Sequence, residues 1–227
     1  MSTILKADKV SYSYISKYQK VEAVKNVSCV FETGKMYAIV GRSGSGKSTL
    51  LSLLAGLDTP TTGEIFYDGI ALSSIDRNRY RRDTASVIYQ SYNLFPLLTT
   101  LENVMYPLEL QGKKRHEAAA TAKKLLSEVG LNETAYRKFP QMMSGGEQQR
   151  IAIARALASG GRILLADEPT GNLDSANEKM MVALIQTLAH THDYTAIVVT
   201  HNDYVASQAD MVCVMSDGEL KEMESSK

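Results

Sequence analysis

The order of apolar and polar positions divides the chain into three regions. Residues 1–70 read as mostly β: LKADKVSYSY and VKNVSCVF, a turn at Glu32-Thr33-Gly34-Lys35, then the short apolar strand MYAIV. One helix follows, and a second turn at Thr61-Thr62-Gly63 leads into EIFYDG. From about residue 95 to 158 the pattern is helical. In EAAATAKKLLSEV, Ala118, Ala122, Leu125, Leu126 and Val129 share one face, and Gly130 stands where a C-cap glycine belongs. From residue 162 onward short apolar strands alternate with helices: RILLAD, a helix through MMVALIQTLAH, TAIVVT, a short helix, and MVCVM. That alternation predicts parallel pairing in an α/β sheet. Ser216-Asp217-Gly218 predicts a hairpin, and KEMESSK reads as a polar tail. No repeat or linker separates independent units, so the chain reads as a single domain. Its core spans about 1–90 and 160–222, and a helical subdomain spans about 91–159.

Composition narrows the function. The 227 residues carry 25 basic and 25 acidic side chains, and a formal net charge of zero argues against a nucleic-acid binder. The one basic cluster, Arg77, Arg79, Arg81 and Arg82, is bracketed by Asp76 and Asp83. It reads as a solvated helix face, with a contact to acidic lipid or protein as the alternative. Cys29 and Cys213 lie among β-formers and read as reduced core thiols. The apolar runs are too short to span a bilayer, and MSTILKADK lacks a leader's apolar stretch. The expectation is a cytoplasmic protein that reaches a membrane only through a partner.

The sharpest motif is Gly41-Arg42-Ser43-Gly44-Ser45-Gly46-Lys47-Ser48, a full match to G-x-x-x-x-G-K-[ST]. It follows MYAIV and opens the helix KSTLLSLLAGL, as a phosphate-binding loop must. Glycines let successive N–H groups turn toward phosphate oxygens, and the helix start adds its positive dipole end. Lys47 is placed to reach the β- and γ-phosphates and Ser48 to coordinate Mg²⁺.

A second strand, RILLAD, ends in Asp167 and Glu168. Neighbouring side chains on a strand point to opposite faces, so the two acids can divide the work. Asp167 is expected to hold the metal and Glu168 to act as general base on the attacking water. The [NT]-K-x-D pattern of a guanine reader does not occur. At this point kinases, GTPases and motor-type ATPases remain open.

Met143-Ser144-Gly145-Gly146-Glu147-Gln148 opens the helical run IAIARALA. Ser144 and Glu147 form a capping box, which leaves two glycines in a first turn unexplained at about 1 kcal/mol each. Bare backbone at a helix start suits a phosphate.

This segment resembles the signature motif of ABC-type ATPases, with Met143 and Glu147 in place of the commonest Leu and Gln. The rest of that family's pattern follows in order over about residues 3–222. Gln90 after SVIY matches the Q-loop glutamine, Gly171-Asn172-Leu173-Asp174 the D-loop, and His201 after TAIVVT the switch histidine. Histidines 116, 190 and 192 read as structural. Tyr14 matches the aromatic that stacks on adenine, although Tyr12 shares its strand face.

The resemblance implies a P-loop NTPase core of the RecA-like kind, with an N-terminal antiparallel β subdomain and a helical signature subdomain. It implies ATP contacts at Tyr14, Gly41, Arg42, Ser43, Gly44, Ser45, Gly46, Lys47, Ser48, Thr49, Ser144, Gly145, Gly146, Glu147 and Asp174. Metal contacts are implied at Ser48, Gln90 and Asp167, and catalytic roles for Lys47, Gln90, Glu168 and His201. It also implies two ATP molecules sandwiched in a head-to-tail dimer of two copies, with a separate membrane permease as partner and no nucleic acid. The expected location is then peripheral, on the inner face of the cell membrane.

The wording QSYNL, LENV and ADEPTGNLDS is similar to the group of macrolide exporters, lipoprotein-release systems and peptide-resistance systems. In that group the apolar stretch Leu94-Phe95-Pro96-Leu97-Leu98 is expected to help receive the permease. The alternative is a soluble or cell-division-linked ABC ATPase. DNA-repair members carry long coiled-coil insertions before the signature, and no heptads occur here.

Overall fold

Strands and helices distribute over two sheets in the computed structural model, which describes residues 2–225. The first sheet is antiparallel and comes from the N-terminal region. It contains β1 (Thr3–Ile15), β2 (Lys20–Glu32), β4 (Thr62–Tyr67) and β5 (Ile70–Ala71), in the order β2-β1-β4-β5. The second sheet takes β3 (Met36–Val40), β6 (Ala85–Tyr89), β7 (Ile163–Asp167), β8 (Thr195–Thr200), β9 (Met211–Ser216) and β10 (Glu219–Ser225). Its order is β10-β9-β3-β8-β7-β6, parallel throughout except for the β10 edge.

The central strands are apolar without alternation because both of their faces are covered. Met36, Ala38, Leu164, Ala166, Ala196 and Val198 face one core, shared with α3 (Thr100–Leu110), α4 (Arg115–Glu128), α5 (Gly145–Ala158) and α6 (Ser175–His192). Tyr37, Ile39, Ile163, Leu165, Ile197 and Val199 face the other core, with the antiparallel sheet and α1 (Lys47–Leu54). This parity positions the site. Asp167 continues the series Ile163, Leu165 and so emerges on the α1 side.

Three sequence expectations need correction. The helical pattern from residue 95 begins only at Thr100, with Thr99 as N-cap. Buried Asn103 holds residues 95–99 out of helix: its Nδ2 donates to the carbonyls of Phe95, Leu98 and Thr99, and its Oδ1 accepts from Phe95 N–H at 2.8 Å. The polar tail is a strand as far as Ser225. Asp217 (φ 52°) and Gly218 (φ 87°) form a tight two-residue turn, and backbone pairing with β9 then carries β10 despite its polar sequence. Ser226 and Lys227 lie outside the described residues. Leu125 is only half-buried, while Ala118, Ala122, Leu126 and Val129 are buried.

The readings of the arginine cluster and of the two cysteines agree with the structure. The arginine cluster lies on α2 (Arg77–Asp83), where Asp76 caps the helix, Arg79 and Arg82 pair with Asp83, and Tyr80 alone is buried. Burial pushes the Cys29 and Cys213 thiols up to about 12, so both are inert core residues. No helix among the described residues is long and apolar enough to cross a membrane.

Candidate functional site

The cleft lies where the carboxyl ends of β3, β7 and β8 meet the start of α1. It is an open space of about 790 Å³. Tyr14, Gly41, Arg42, Ser43, Gly44, Gly46, Lys47, Ser48, Thr49, Gln90, Asp167, Glu168 and His201 all border it, so it gathers most of the residues singled out from the sequence. Val21 and Ala23, which no motif marked, complete the wall beside Tyr14.

The phosphate loop is built for a bound anion. Gly46 is the N-cap of α1 at φ 104°, and no side chain caps that helix start. A Cβ at Gly46 would lie 2.1 Å from the Ala23 carbonyl, so glycine is required there by both backbone and space. Lys47 is buried, and among the described residues its ammonium donates only to loop carbonyls, Gly41 O at 2.8 Å and Arg42 O at 3.0 Å. Ser45 does not border the cleft, and its Oγ is buried with no hydrogen-bond partner among the described residues. An ammonium without a carboxylate and an uncapped helix start together fit a polyphosphate.

Opposite the loop, Ser48 Oγ donates to Asp167 Oδ1 at 3.1 Å. Two hard oxygen ligands at this spacing fit Mg²⁺, which is commonly held by one or two protein oxygens together with substrate phosphates. No group of three or more His, Cys, Asp or Glu placed to hold a metal ion by themselves occurs among the described residues. Burial raises the Asp167 carboxyl above the usual carboxylate range. The Ser48 hydrogen bond opposes that shift and the neighbouring Glu168 charge adds to it.

Glu168 does not divide the space with Asp167 as strand alternation predicts. It stands one residue past β7 in the left-handed region (φ 48°), and that turn returns its carboxylate to the same cleft. There Oε1 lies 2.7 Å from His201 Nδ1. The His201 backbone N–H reaches Oε2 at 3.4 Å. His116, His190 and His192 do not border this cleft, and His190 pairs with Asp210 instead.

Tyr14, not Tyr12, borders the cleft. Its hydroxyl is 3.2 Å from Thr49 Oγ1, and its ring meets Tyr12 edge-on at 5.0 Å. Tyr12 packs instead against the core beneath the antiparallel sheet.

Ser144, Gly145, Gly146 and Glu147 do not border this cleft. They form the start of α5, where the Ser144–Glu147 capping box closes as expected. The structure adds an intramolecular reason for the glycines. A Cβ on Gly146 would lie 2.5 Å from Asn177 Oδ1, and one on Gly145 3.0 Å from the Tyr92 hydroxyl. Asn177 is itself tied to Asp174, which caps α6 by accepting from Asn177 N–H at 2.9 Å and Nδ2 at 2.8 Å. Those bonds lower the Asp174 carboxyl's pKa. Gln90 is linked to the same region by Asn172 Nδ2, which donates to its carbonyl at 3.1 Å.

Two contacts beside the site residues escaped the sequence reading: Asn177 behind Gly146, and Arg155, which donates to the carbonyls of Tyr92 and Asn93. The signal for Arg155 was present as a lone charge inside the apolar run IAIARALA.

Comparison with known proteins agrees with this geometry. Residues 24–171 match the family model described as ABC transporter. The chain is 40% identical over 211 residues to the lipoprotein-releasing system ATP-binding protein LolD of Syntrophotalea carbinolica, covering 92% of each. It is 42% identical over 200 residues to the macrolide export ATP-binding/permease protein MacB of Campylobacter jejuni, covering 87% of this chain and 31% of that one. The dimeric structure of MJ0796, a bacterial ABC transporter cassette, superposes with a TM-score of 0.91 at 37% identity over 99% of both chains. A dimeric post-hydrolysis state of MJ0796 bound to ADP and Pi matches equally well, at a TM-score of 0.91 and 36% identity.

Proposed function

The chain belongs to the ABC transporter family as one of its ATP-binding ATPases, and from that premise we propose that two copies close head to tail around two ATP molecules to drive a separate membrane permease. One observation carries the reading: the phosphate loop, carboxylates and histidine share one cleft, whereas Ser144–Glu147 open a different surface. A site so divided is completed by a second copy, and MJ0796, the structural relative, is a dimer.

In this reading Lys47 exchanges its two carbonyl partners for the β- and γ-phosphates. The loop N–H groups take phosphate oxygens, Arg42, Ser43 and Thr49 line the bound chain, and the Tyr14 ring stacks on adenine. Ser48 and Asp167, joined by Gln90, hold Mg²⁺. That ion, when bound, neutralises phosphate charge and orients the γ-phosphate. Glu168 accepts the proton of the attacking water. His201 fixes Glu168 through Nδ1, which leaves Nε2 for the γ-phosphate. Ser144 and Gly146 of the partner subunit complete the phosphate shell, with Gly145, Glu147 and Asp174 beside them.

The permease half of the proposal rests on an exposed apolar patch next to Gln90. Phe95 and Leu97 are exposed, the latter by 87%, and Tyr106 and Leu110 extend the patch along α3. The Phe95 and Tyr106 rings stand 4.8 Å apart. Apolar surface gathered at one place on a soluble chain marks an interaction face. The resemblance to LolD and MacB favours an export-type or lipoprotein-release-type system.

Affinity purification of the chain from detergent-solubilised membranes of its native host tests this. The expected result is a co-purifying multi-span membrane protein that depends on the patch. Recovery of the chain alone, with full ATPase activity, would support the soluble alternative instead.

A further inference from the structure

We propose that Arg155 is a positioning residue for hydrolysis: from within the signature helix its guanidinium holds the two residues that follow Gln90 and Ser91 in a left-handed backbone, and so sets where Gln90 stands in the cleft. The inference rests on the ATPase reading above and adds a residue outside the motifs from which that reading was built.

Tyr92 (φ 62°) and Asn93 (φ 46°) are consecutive non-glycine residues in the left-handed region. Such a pair persists only where its surroundings hold it, above all for a residue as bulky as tyrosine. Within the loop, Tyr92 N–H donates to Tyr89 O at 3.0 Å and Asn93 N–H to Ser91 O at 2.7 Å; from outside the loop the holding group is Arg155, whose Nη1 donates to Asn93 O at 2.7 Å and whose Nη2 donates to Tyr92 O at 3.0 Å. The Phe95 ring covers the guanidinium, with its centroid 5.7 Å from Cζ. No carboxylate pairs with Arg155 among the described residues, and burial lowers its pKa. The half-buried guanidinium has no counter-charge among them, and its charge is turned to two backbone carbonyls of one loop.

The loop is gripped at its other end by Asn172, at Gln90 O. The Tyr92 side chain meanwhile rests against Gly145 at the tip of the same helix that carries Arg155. Residues 90–93 are therefore tied to the signature helix at two points. Phe95, on the apolar patch, is coupled to them through the guanidinium. A planar fork over two carbonyls is a task lysine cannot reproduce. Arg155 touches neither the phosphate loop nor Lys47, so its loss should slow turnover and leave the grip on ATP intact.

Steady-state ATP hydrolysis by the full chain and its Arg155→Lys and Arg155→Ala variants tests the inference. Arg155→Lys should keep the wild-type melting temperature closely and KM for ATP within about twofold, with kcat lowered about tenfold. Arg155→Ala should lose about a hundredfold in kcat and regain part of it with millimolar guanidinium, which should not help the wild type. If the alanine variant does not fold, the lysine variant decides alone. Wild-type kcat in Arg155→Lys, a rise in KM at unchanged kcat, or a loss that follows unfolded protein would each overturn the inference while leaving the ATPase reading standing. A wild-type chain that does not hydrolyse ATP would overturn both.

Discussion

Glu168 Oε1 and His201 Nδ1 meet at 2.7 Å just beyond the ends of two neighbouring parallel strands, β7 and β8. The register that opposes Asp167 to Val199 brings the following residues within reach, and the left-handed turn at Glu168 aims its carboxylate at the ring. The contact holds the proposed base beside the histidine proposed to read the γ-phosphate.

Replacing the carboxylate by an amide keeps the shape and removes the base. Glu168→Gln is expected to lower kcat by about 10²–10⁴ while ATP binding is retained. Parallel assays of hydrolysis and of fluorescent-nucleotide binding check this. Wild-type turnover would remove Glu168 from its role.

Asp167 has a stability signature as well as a catalytic one. Its carboxyl is raised chiefly by burial, so the folded chain binds that proton more tightly than the unfolded chain does. Its contribution to stability is present at low pH and is lost as pH rises through the raised folded-state value. The ionised group then opposes folding at neutral pH. Asp167→Asn is expected to melt above the wild type at neutral pH without metal, with the gap closing on acidification, and to lose hydrolysis. Mg²⁺ should raise the wild-type melting temperature and leave that of the variant unchanged. Thermal unfolding across pH, with and without Mg²⁺, measures both effects.

Gly146 carries two demands that can be separated. Gly146→Ala forces a Cβ to within 2.5 Å of Asn177 Oδ1 unless the side chain moves, and overpacking of this kind costs about 1–3 kcal/mol. The double variant Gly146→Ala/Asn177→Ala, which removes the atoms the new Cβ meets, should recover stability in denaturant titration, and hydrolysis should stay low only if the proposed contact with the partner's nucleotide needs the bare Gly146 backbone. Recovery of both would make the glycine a matter of packing alone.

The apolar patch should matter to the partner and not to the chemistry. Leu97→Glu is expected to leave the basal ATPase rate within about twofold and abolish co-purification of the membrane protein, since Leu97 is 87% exposed and lies outside the cleft.

What could be read from the sequence follows the range of the forces involved. The phosphate loop was legible because Gly41, Gly44, Gly46, Lys47 and Ser48 stand at fixed spacing within one short segment. Asp167 was legible because an apolar strand ending in an acid fixes a position and a face. The Ser144 capping box was legible for the same local reason. Arg155 was not, since its carbonyl partners lie 62 and 63 residues away. Neither was the second reason for Gly146, which depends on Asn177 packing across from another helix. The loop at residues 95–99 escaped because one buried Asn103 overrides a helical pattern. The last strand escaped because backbone pairing makes an edge without an apolar signature.

The central claim is that no single copy encloses its nucleotide. The direct measurement is a high-resolution structure of Glu168→Gln with Mg-ATP. The account predicts Ser144 of one protomer within hydrogen-bonding distance of the γ-phosphate held by residues 41–48 of its partner, at both sites. ATP enclosed in every copy with Ser144 of the partner subunit remote from it would contradict the account.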